Sequence, residues 1–474
     1  MQRRKLVLSL GALTALPGIT WADDEDTTAD LIVVGSGIAG LSAAVSAAQN
    51  GAAKILVLEK APSIGGHSIL STGYLSAVTR TLKTELEYRE EVAALAADML
   101  RLGEGRNDPV LVQKLAEESG NAVEWLEQLG LVWTPQRFQT LAGLSPRSFI
   151  PSLVRAGYDY IVTLNKAATS LGIKIALNTR AVRLLMDSTT QRICGVRASV
   201  NGKERNFFAK AVILATGGYG GNVAMRKKYA PRLHENFTTT ANPYNDNIDY
   251  ATGDGIVMAE EVGAALTDMD CIQTLPFWGG RLTDYVGADI YLNRDGERFV
   301  NEASSWKRIS EAIWALPNHE CWVVTDSQSL KGASRSAKLI KNIVRQASCV
   351  SEMASGMGIS EKVLQATLDR YNGFAQKGQD ADFGKSMFTQ TISVPPYYYG
   401  KEHLFVHYCC GGVRFNVKSE VLTRSGDAIA GLFAAGEVTG GLHGADRVGG
   451  CSITDCVVYG RNAGRSAAQY VRQT

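Results

Sequence analysis

Apolar and polar positions alternate most regularly over residues 30–60. An apolar run over Leu31–Val34 is followed by the glycine-rich residues 35–40, an alanine-rich stretch that reaches Asn50, and a second apolar run over Lys54–Leu58. Short apolar runs predict buried strands, and the stretch between them has the length and composition of a helix. The pattern therefore predicts strand, tight turn, helix and strand in succession.

Helical and strand-like patterns continue through the first half of the chain. Residues 84–130 carry apolar residues at helical spacing, with Gly130 as the predicted end. Three further runs are typical of strands: Ile173–Leu177, Ile193–Val200 and Phe207–Leu214.

The pattern changes in the middle of the chain. Residues 266–408 are richer in Trp and Tyr and lose the strand–helix alternation, which returns at 431–437 and in a glycine-rich helix start near 449. This order favours an α/β nucleotide-binding domain interrupted by an inserted α+β cap over two sequential domains.

Length, charge and cysteine content limit the classes of function that the chain can have. The chain has 474 residues, enough for two or three domains, and 49 Lys and Arg balance 47 Asp and Glu to a net charge of +2. Near-neutral charge without a basic patch argues against a nucleic-acid partner. The eight Cys include no C-x-x-C pair, so we expect no metal site and no haem attached to this chain.

The first 22 residues resemble a secretory signal. Arg3, Arg4 and Lys5 precede an apolar run that ends near Ile19, and Ala22 closes a small-residue cleavage site. The run is too short for a permanent membrane span, so we expect export to the periplasm with no integral membrane segment. The paired arginines suggest the twin-arginine route, although the general route and a frayed amphipathic N-terminus are alternatives.

A G-x-G-x-x-G pattern connects the first strand to the first helix. Gly35 permits the tight turn, Gly37 lets the backbone approach a pyrophosphate, and Gly40 lets helix and strand pack closely. Glu59, at the end of the second strand, is placed to accept hydrogen bonds from a ribose. This combination predicts a Rossmann-like dinucleotide-binding domain.

Further glycine motifs resemble those of one flavoprotein family. The motifs are Gly65-Gly66-His67-Ser68, Ala215–Gly218, Thr252–Gly255, Asn293–Phe299, Asn301-Glu302, Gly411–Val413, Gly436–Gly441, His443–Arg447 and Gly449-Gly450. Together they resemble the FAD-dependent oxidoreductase 2 family, which includes soluble fumarate reductases and succinate dehydrogenase flavoprotein subunits. The resemblance implies FAD rather than NAD as the cofactor.

The resemblance also implies domain limits and cofactor contacts. The FAD-binding domain would comprise residues 23–265 and 409–474, with the capping domain at 266–408. The candidate FAD-binding residues are Gly35, Gly37, Ala39, Gly40, Glu59, Lys60, Gly66, His67, Ser68, Gly73, Val182, Gly217, Asp254, Glu437, Ser452 and Ile453.

The substrate-binding residues of the fumarate reductases are mostly replaced here. The position of the proton-donating Arg holds Trp306, and the two His positions hold Leu275 and Tyr408. Only the second Arg is retained, as Arg447. Loss of the acid and of two anion-binding groups predicts that fumarate is not the substrate.

The replacements are aromatic or apolar and have Phe277, Trp278 and Tyr285 nearby in sequence. One cation beside an aromatic pocket favours a larger substrate with a single carboxylate or other polar head. The alternative to a pocket role for Trp306 is that it fills core under the cap. The candidate catalytic residues are Arg447, Tyr408 as proton donor, Trp306 and Tyr285, with Lys307 and Arg308 as weaker proton donors.

His67 and the pair Cys409-Cys410 also depart from the soluble enzymes. The membrane-bound relatives bond a His at the position of His67 to the flavin, so His67 either binds FAD covalently or only hydrogen-bonds it. Adjacent cysteines can form a strained disulfide, but buried free thiols are the favoured interpretation.

These residues predict an exported FAD-dependent oxidoreductase that exchanges hydride with a small organic acid, an enoate larger or more aromatic than fumarate. The alternatives are a dehydrogenase with covalent FAD and an electron-transfer flavoprotein subunit without its own substrate. With no haem or cluster ligands and no second G-x-G-x-x-G, we expect a separate electron partner, such as a periplasmic multihaem cytochrome c or another flavoprotein.

Overall fold

The computed structural model describes residues 27–140, 144–154, 156–242, 250–276, 279–282, 287–329 and 334–474. The predicted secretory signal, Phe277, Trp278 and Tyr285 lie outside the described residues.

The described chain has helices in both its outer parts and its middle region. The α-helices are α1 (Ile38–Gln49), α2 (Glu85–Leu102), α3 (Pro109–Gln128), α4 (Gly157–Ser170), α5 (Val223–Tyr229), α6 (Asp254–Glu261), α7 (Trp306–Trp314), α8 (Ser334–Ile340), α9 (Val350–Met357), α10 (Glu361–Lys377) and α11 (Cys451–Gln473). Short 3-10 turns lie at Gly66–Leu70 and Pro317–His319.

The strands are β1 (Leu31–Val34), β2 (Ile55–Leu58), β3 (Leu75–Ser76), β4 (Ser148–Phe149), β5 (Lys174–Ala176), β6 (Thr179–Met186), β7 (Ile193–Val200), β8 (Lys203–Phe208), β9 (Ala211–Leu214), β10 (Leu266–Thr267), β11 (Ile272–Leu275), β12 (Ile290–Leu292), β13 (Glu320–Asp326), β14 (Arg345–Ala347), β15 (Tyr397–His403), β16 (Phe405–Cys409), β17 (Gly412–Arg414), β18 (Glu420–Leu422), β19 (Ala428–Ala434) and β20 (Thr439–Gly440).

A six-stranded sheet, in the order β18-β19-β9-β1-β2-β5, forms the centre of the fold. Its inner pairings are parallel, and β18 joins β19 antiparallel at one edge. Every residue of β1, β2 and β9 is buried, as expected for strands covered on both faces. Leu31 and Val33 pack in the core that contains α1 and α11, whereas Ile32 and Val34 pack against the sheet β6-β7-β8.

The middle of the chain forms a separate antiparallel sheet, in the order β12-β13-β15-β14. Its core includes Ile290, Val324, Leu364 and Tyr371, so α10 packs on this sheet. Strands β10 and β11 pair with β17 and β16, which brings both ends of the predicted cap beside each other. The division at 265/266 and 408/409 stays a prediction.

The α/β fold is confirmed, with corrections in detail. The predicted run Phe207–Leu214 is two strands, because β8 ends the antiparallel sheet and β9 begins in the parallel one. The sequence analysis did not predict strand β6, because the exposed residues Arg180 and Arg183 interrupt its apolar pattern. Helix α3 ends at Gln128, two residues before the predicted stop at Gly130.

Cys409 and Cys410 are buried free thiols, as the sequence favoured. Within the described parts of the chain, no helix is long and apolar enough to span a bilayer.

Candidate active site

One large cavity lies at the carboxyl edge of the central sheet. Residues that follow β1, β2, β9 and β19 line it, as expected for a ligand site in a parallel sheet. Its volume, including the mouth, is about 1790 Å³. The cavity extends from the turn after β1 to Trp306, Tyr408 and Arg447.

The turn after β1 is shaped for close approach of a phosphate. Gly35 has a φ of 105°, and a Cβ there would lie 2.3 Å from the Ala215 oxygen. At Gly40 a Cβ would lie 2.0 Å from the Gly35 oxygen. Helix α1 begins beside the cavity with Gly37 as its N-cap, no side-chain cap and no acidic residue in its first turn. The positive end of the helix is therefore available to an anion.

Charged residues on β2 and nearby loops line the same part of the cavity. The buried Glu59 carboxylate accepts hydrogen bonds from Ser36 N at 3.0 Å and Ala61 N at 2.8 Å. Lys60 and Arg180 both pair with Asp254, at 3.1 and 3.0 Å. Burial would raise the pKa of Asp254, but these two cations outweigh it and lower the pKa below its usual range.

The start of α11 forms the opposite wall. Its N-cap, Gly450, offers no side chain, its first turn has no acidic residue, and Ser452 and Ile453 line the cavity. A second positive helix end suits the electron-rich edge of a flavin. The glycine turn, the fixed Glu59 and the two helix ends together fit FAD.

Most predicted FAD-binding residues line this cavity, and Gly40 packs behind the turn instead. On β6 the lining residues are Thr179, Arg180 and Ala181, whereas the Val182 residue is 37% exposed. The lining candidates are Gly35, Gly37, Ala39, Glu59, Lys60, Gly66, His67, Ser68, Gly73, Gly217, Asp254, Glu437, Ser452 and Ile453.

Leu275, Trp306, Tyr408 and Arg447 share a second region of the cavity. The buried Arg447 guanidinium donates from Nη2 to Gln273 Oε1 at 3.0 Å and from Nη1 to the Val448 oxygen at 2.9 Å. Its Nε has no hydrogen-bond partner among the described residues. A carboxylate in the cavity would satisfy this fixed cation.

Tyr408 packs against Arg447, whose Cζ lies 4.8 Å from the ring centroid. The Tyr408 hydroxyl donates to Asp455 Oδ2 at 3.3 Å. Burial, together with the Asp455 charge, raises the pKa of Tyr408 well above its usual value. The hydroxyl is therefore held protonated and directed at Asp455.

Two weaker proton-donor candidates are wrong. The Lys307 ammonium pairs with Glu104 at 2.6 Å, and Arg308 is exposed. Both follow Trp306 in the first turn of α7, where successive side chains point in different directions. Trp306 lines the cavity, but its two neighbours do not.

Sequence reasoning missed a polar chain beside Arg447. His67 Nε2 lies 3.2 Å from Thr240 Oγ1, which lies 2.9 Å from His407 Nδ1. The His67 Nδ1 atom lies 3.8 Å from Glu437 Oε2. Burial, with the nearby charges of Arg447 and His67, lowers the pKa of His407 well below its usual value. The sequence signal that could have identified His407 is the presence of a histidine in the otherwise apolar run 404–410.

Comparisons with known proteins agree with this geometry. The family model described as FAD binding domain matches residues 30–453. A probable fumarate reductase of Shewanella frigidimarina is 36% identical over 94% of this chain and 75% of its own length. A urocanate reductase of Eggerthella lenta is 36% identical over 93% of this chain and 75% of its own length. The open conformation of a flavocytochrome c3 fumarate reductase superposes with a TM-score of 0.74, at 32% identity, over 95% of this chain and 82% of the other.

Proposed function

We propose that this chain, which belongs to the FAD binding domain family of flavoproteins, reduces an enoate that is larger or more aromatic than fumarate. It is an FAD-dependent oxidoreductase acting on carbon–carbon double bonds, as its reductase relatives are. The observation that carries the proposal is the buried guanidinium of Arg447, which lines the cavity together with Leu275, Trp306 and Tyr408.

Arg447 binds the substrate carboxylate in this proposal. Its two terminal nitrogens are already held by Gln273 and Val448, so its orientation is fixed before substrate arrives. A preorganised cation in a site that excludes water stabilises a carboxylate more strongly than an exposed one. Leu275, Trp306 and Tyr408 supply apolar contact for the rest of the substrate and exclude water.

When bound, FAD supplies the hydride that reduces the double bond. The protein must supply a proton for the other carbon. Tyr408 is the donor that the sequence predicts, and His407, which also lines the cavity, is a second candidate. Tyr285, which the sequence also predicts to be catalytic, lies outside the described residues.

A relative supports the aromatic part of the proposal. The Eggerthella lenta protein is named urocanate reductase, and urocanate is an acrylate with an aromatic ring and one carboxylate. The retained Arg447 and the aromatic wall of this chain match that chemistry.

Binding of unreactive analogues tests the proposal. The oxidised holoenzyme is titrated with 3-phenylpropionate and with succinate, and the flavin absorbance is followed. We expect phenylpropionate to bind more tightly, because it offers one carboxylate and one ring. Tighter binding of succinate would contradict the proposal.

A dehydrogenase with covalent FAD is the second candidate, and its supporting observation is that His67 lines the cavity. The electron-transfer subunit is not retained, since the relatives above are named as reductases of organic acids.

Export and electron supply complete the proposal. Residues 1–22 would direct the chain to the periplasm, and electrons would arrive from a multihaem cytochrome c. The structural relative described as a flavocytochrome c3 fumarate reductase supports a haem donor.

A further inference from the structure

We infer that Asp446 is a positioning residue of the substrate site, whose carboxylate orients Arg447 through Gln273 and also holds the start of the helix that carries Trp306. The inference rests on the proposed function, because it assigns what fixes the cation and the aromatic side chain that the proposal places against the substrate.

Asp446 acts from behind the cavity wall. Its residue is 3% exposed and Gln273 is 4% exposed, and neither is among the residues that line the cavity. Arg447 and Trp306 do line it. The carboxylate of Asp446 therefore reaches a ligand only through the side chains that it holds.

The first of these links runs through the amide of Gln273. Its Nε2 donates to Asp446 Oδ1 and, at 3.2 Å, to the backbone oxygen of Arg447. Its Oε1 accepts from Nη2 of the Arg447 guanidinium at 3.0 Å. Asp446, Gln273 and Arg447 thus form one chain of buried hydrogen bonds.

The acceptor character of a carboxylate sets the direction of this amide. An ionised carboxylate only accepts hydrogen bonds, so it requires the Nε2 end of Gln273 to face Asp446. The Oε1 end is then left for the guanidinium, which only donates. With the amide reversed, Nε2 would face Arg447, donor against donor.

The second link runs to helix α7. Asp446 Oδ2 accepts from the backbone nitrogen of Lys307 at 3.4 Å, and Lys307 is the second residue of this helix. The first N–H groups of a helix have no partner within the helix, and a negative charge is favourable there. Trp306 is the first residue of α7, so the same carboxylate helps to keep its indole at the cavity.

The backbone before Asp446 is itself held in place. Ala445 N donates to the Gly103 oxygen at 3.0 Å. Gly444 has a φ of 62°, and a Cβ there would lie 2.5 Å from the same oxygen. This segment therefore packs closely on the turn after α2, which gives the carboxylate a defined position.

The charge state of Asp446 reflects opposing effects. Burial raises the pKa of its carboxyl, while the hydrogen bonds from Gln273 and Lys307 and the charge of Arg447 oppose that rise. The groups that Asp446 holds thus also favour the ionised form that orients them.

A first experiment measures ligand binding without turnover. The oxidised holoenzyme is titrated with 3-phenylpropionate, and the flavin absorbance reports both binding and retention of FAD. Asp446→Asn keeps the shape of the side chain but introduces a donor, so the amide of Gln273 can reverse. Loss of a hydrogen bond to a charged group changes an equilibrium constant on the order of tenfold, and we expect the Kd to rise by about that factor.

A double-mutant cycle shows whether Asp446 acts through Gln273. We expect Gln273→Met to raise the Kd, and the addition of Asp446→Asn to raise it little further, because the amide that Asp446 orients is gone. Equal effects of Asp446→Asn in both backgrounds would overturn the inference. If Asp446→Asn fails to retain FAD, Asp446→Ser replaces it in the same cycle.

Asp159 provides a matched control. It is a second buried carboxylate, 3% exposed, and it accepts from the backbone nitrogen of Val154 at 3.0 Å. We expect Asp159→Asn to leave the Kd of phenylpropionate unchanged. A rise equal to that in Asp446→Asn would show a general effect of losing a buried carboxylate and would overturn the inference.

Turnover with a reduced viologen and an aromatic enoate gives a further readout. Because Asp446 orients the group that binds the carboxylate, we expect Asp446→Asn to raise KM by about the factor seen in the Kd, with little change in kcat. A fall in kcat at unchanged KM would contradict a positioning role for Asp446.

Crystal structures of the substrate-free holoenzyme separate this inference from the proposed function. We expect Arg447 Nη2 to contact Gln273 Oε1 in the wild type and to lose that contact in Asp446→Asn. An unchanged Arg447 in the variant would overturn the inference. If the wild type binds no phenylpropionate and reduces no enoate, the proposed function fails, and the structures alone decide whether Asp446 orients Arg447.

Discussion

Arg447 is a buried cation that two neighbours hold in place, and its Nε is left for a ligand. Its Cζ lies 4.8 Å from the centroid of the Tyr408 ring, and this is where the proposed function places the substrate carboxylate. Lys could not reproduce this arrangement, because its ammonium lacks the planar set of donors.

Replacing Arg447 tests its role. We expect Arg447→Ala to retain FAD but to cost about 2–4 kcal/mol in kcat/KM for the substrate, because the carboxylate loses the buried cation that is proposed to bind it. The exposed Arg414 provides a matched control as Arg414→Ala, which should keep wild-type kinetics. If both variants show the same kinetics, Arg447 does not bind the substrate.

The state of His67 is tested by denaturing the protein in acid. We expect the flavin to be released into the supernatant, because Nε2 of His67 lies 3.2 Å from Thr240 Oγ1 and is engaged in that contact. Yellow precipitate with in-gel flavin fluorescence, lost in His67→Asn, would instead support covalent FAD and the dehydrogenase hypothesis.

At the residue scale, the sequence predicted the glycines and Glu59 because their roles depend on local geometry. It missed Thr240 and His407 because their roles depend on a contact across 167 positions of the chain. It also overestimated Lys307 and Arg308, whose direction is set by the start of α7.

At the scale of elements, β16 places the half-buried His407 at the edge of the cavity, and the other residues of this strand are buried. Helix α11 contributes the buried Asp455, which lies 3.7 Å from His443. Burial lowers the pKa of both His407 and His443, although Asp455 partly offsets the effect at His443.

These lowered pKa values predict a loss of stability in mild acid. The unfolded chain takes up protons near the ordinary His pKa of about 6.5, before the folded chain does, so stability present above that pH is lost as the pH falls. Each group contributes at most about 1.4 kcal/mol per pH unit. We expect thermal unfolding to show a smaller loss between pH 7 and 5 in His407→Gln than in the wild type. An equal loss would show that the pKa of His407 is the same in the folded and the unfolded chain.

A buried charge cluster joins the start of the cap to the segment after α10. Arg298 pairs with Glu302 and Asp380, at 2.8 and 2.9 Å, and Lys385 Nζ lies 3.1 Å from Glu302. Burial would raise the pKa of Glu302, but Lys385 and Arg298 outweigh it and keep the carboxyl ionised.

Breaking this cluster should destabilise the protein. We expect Glu302→Gln to lower the free energy of unfolding by about 3–5 kcal/mol, because the buried Lys385 loses its ionised partner and Arg298 keeps only Asp380. The exposed Glu297 lies in the neighbouring motif, and Glu297→Gln serves as the control in chemical unfolding. Equal stability of the two variants would contradict a structural role for the cluster.

At the scale of the whole molecule, the α/β fold could be predicted because its parallel strands are continuous apolar runs separated by glycine turns. The antiparallel sheet of the middle region could not be derived in the same way. Its strands β13 and β15 pair across more than 70 positions, from Glu320 with His403 to Asp326 with Tyr397, and no local pattern encodes that pairing.

The cavity joins the two regions of the chain. The parallel sheet supplies the cofactor wall, whereas β11, α7 and β16 supply Leu275, Trp306 and Tyr408. In the proposed function, the substrate is therefore selected by residues of the middle region and its borders, and FAD is bound by residues at the edge of the parallel sheet.

Substrate preference under reducing conditions tests the central claim most directly. The purified holoenzyme is reduced anaerobically with a viologen, and kcat/KM is measured for urocanate, cinnamate, acrylate and fumarate. We expect at least one aromatic enoate to reoxidise the system and fumarate to do so much more slowly, because one cation and an aromatic wall have replaced the dicarboxylate site. A kcat/KM for fumarate above that of every aromatic enoate would contradict the claim.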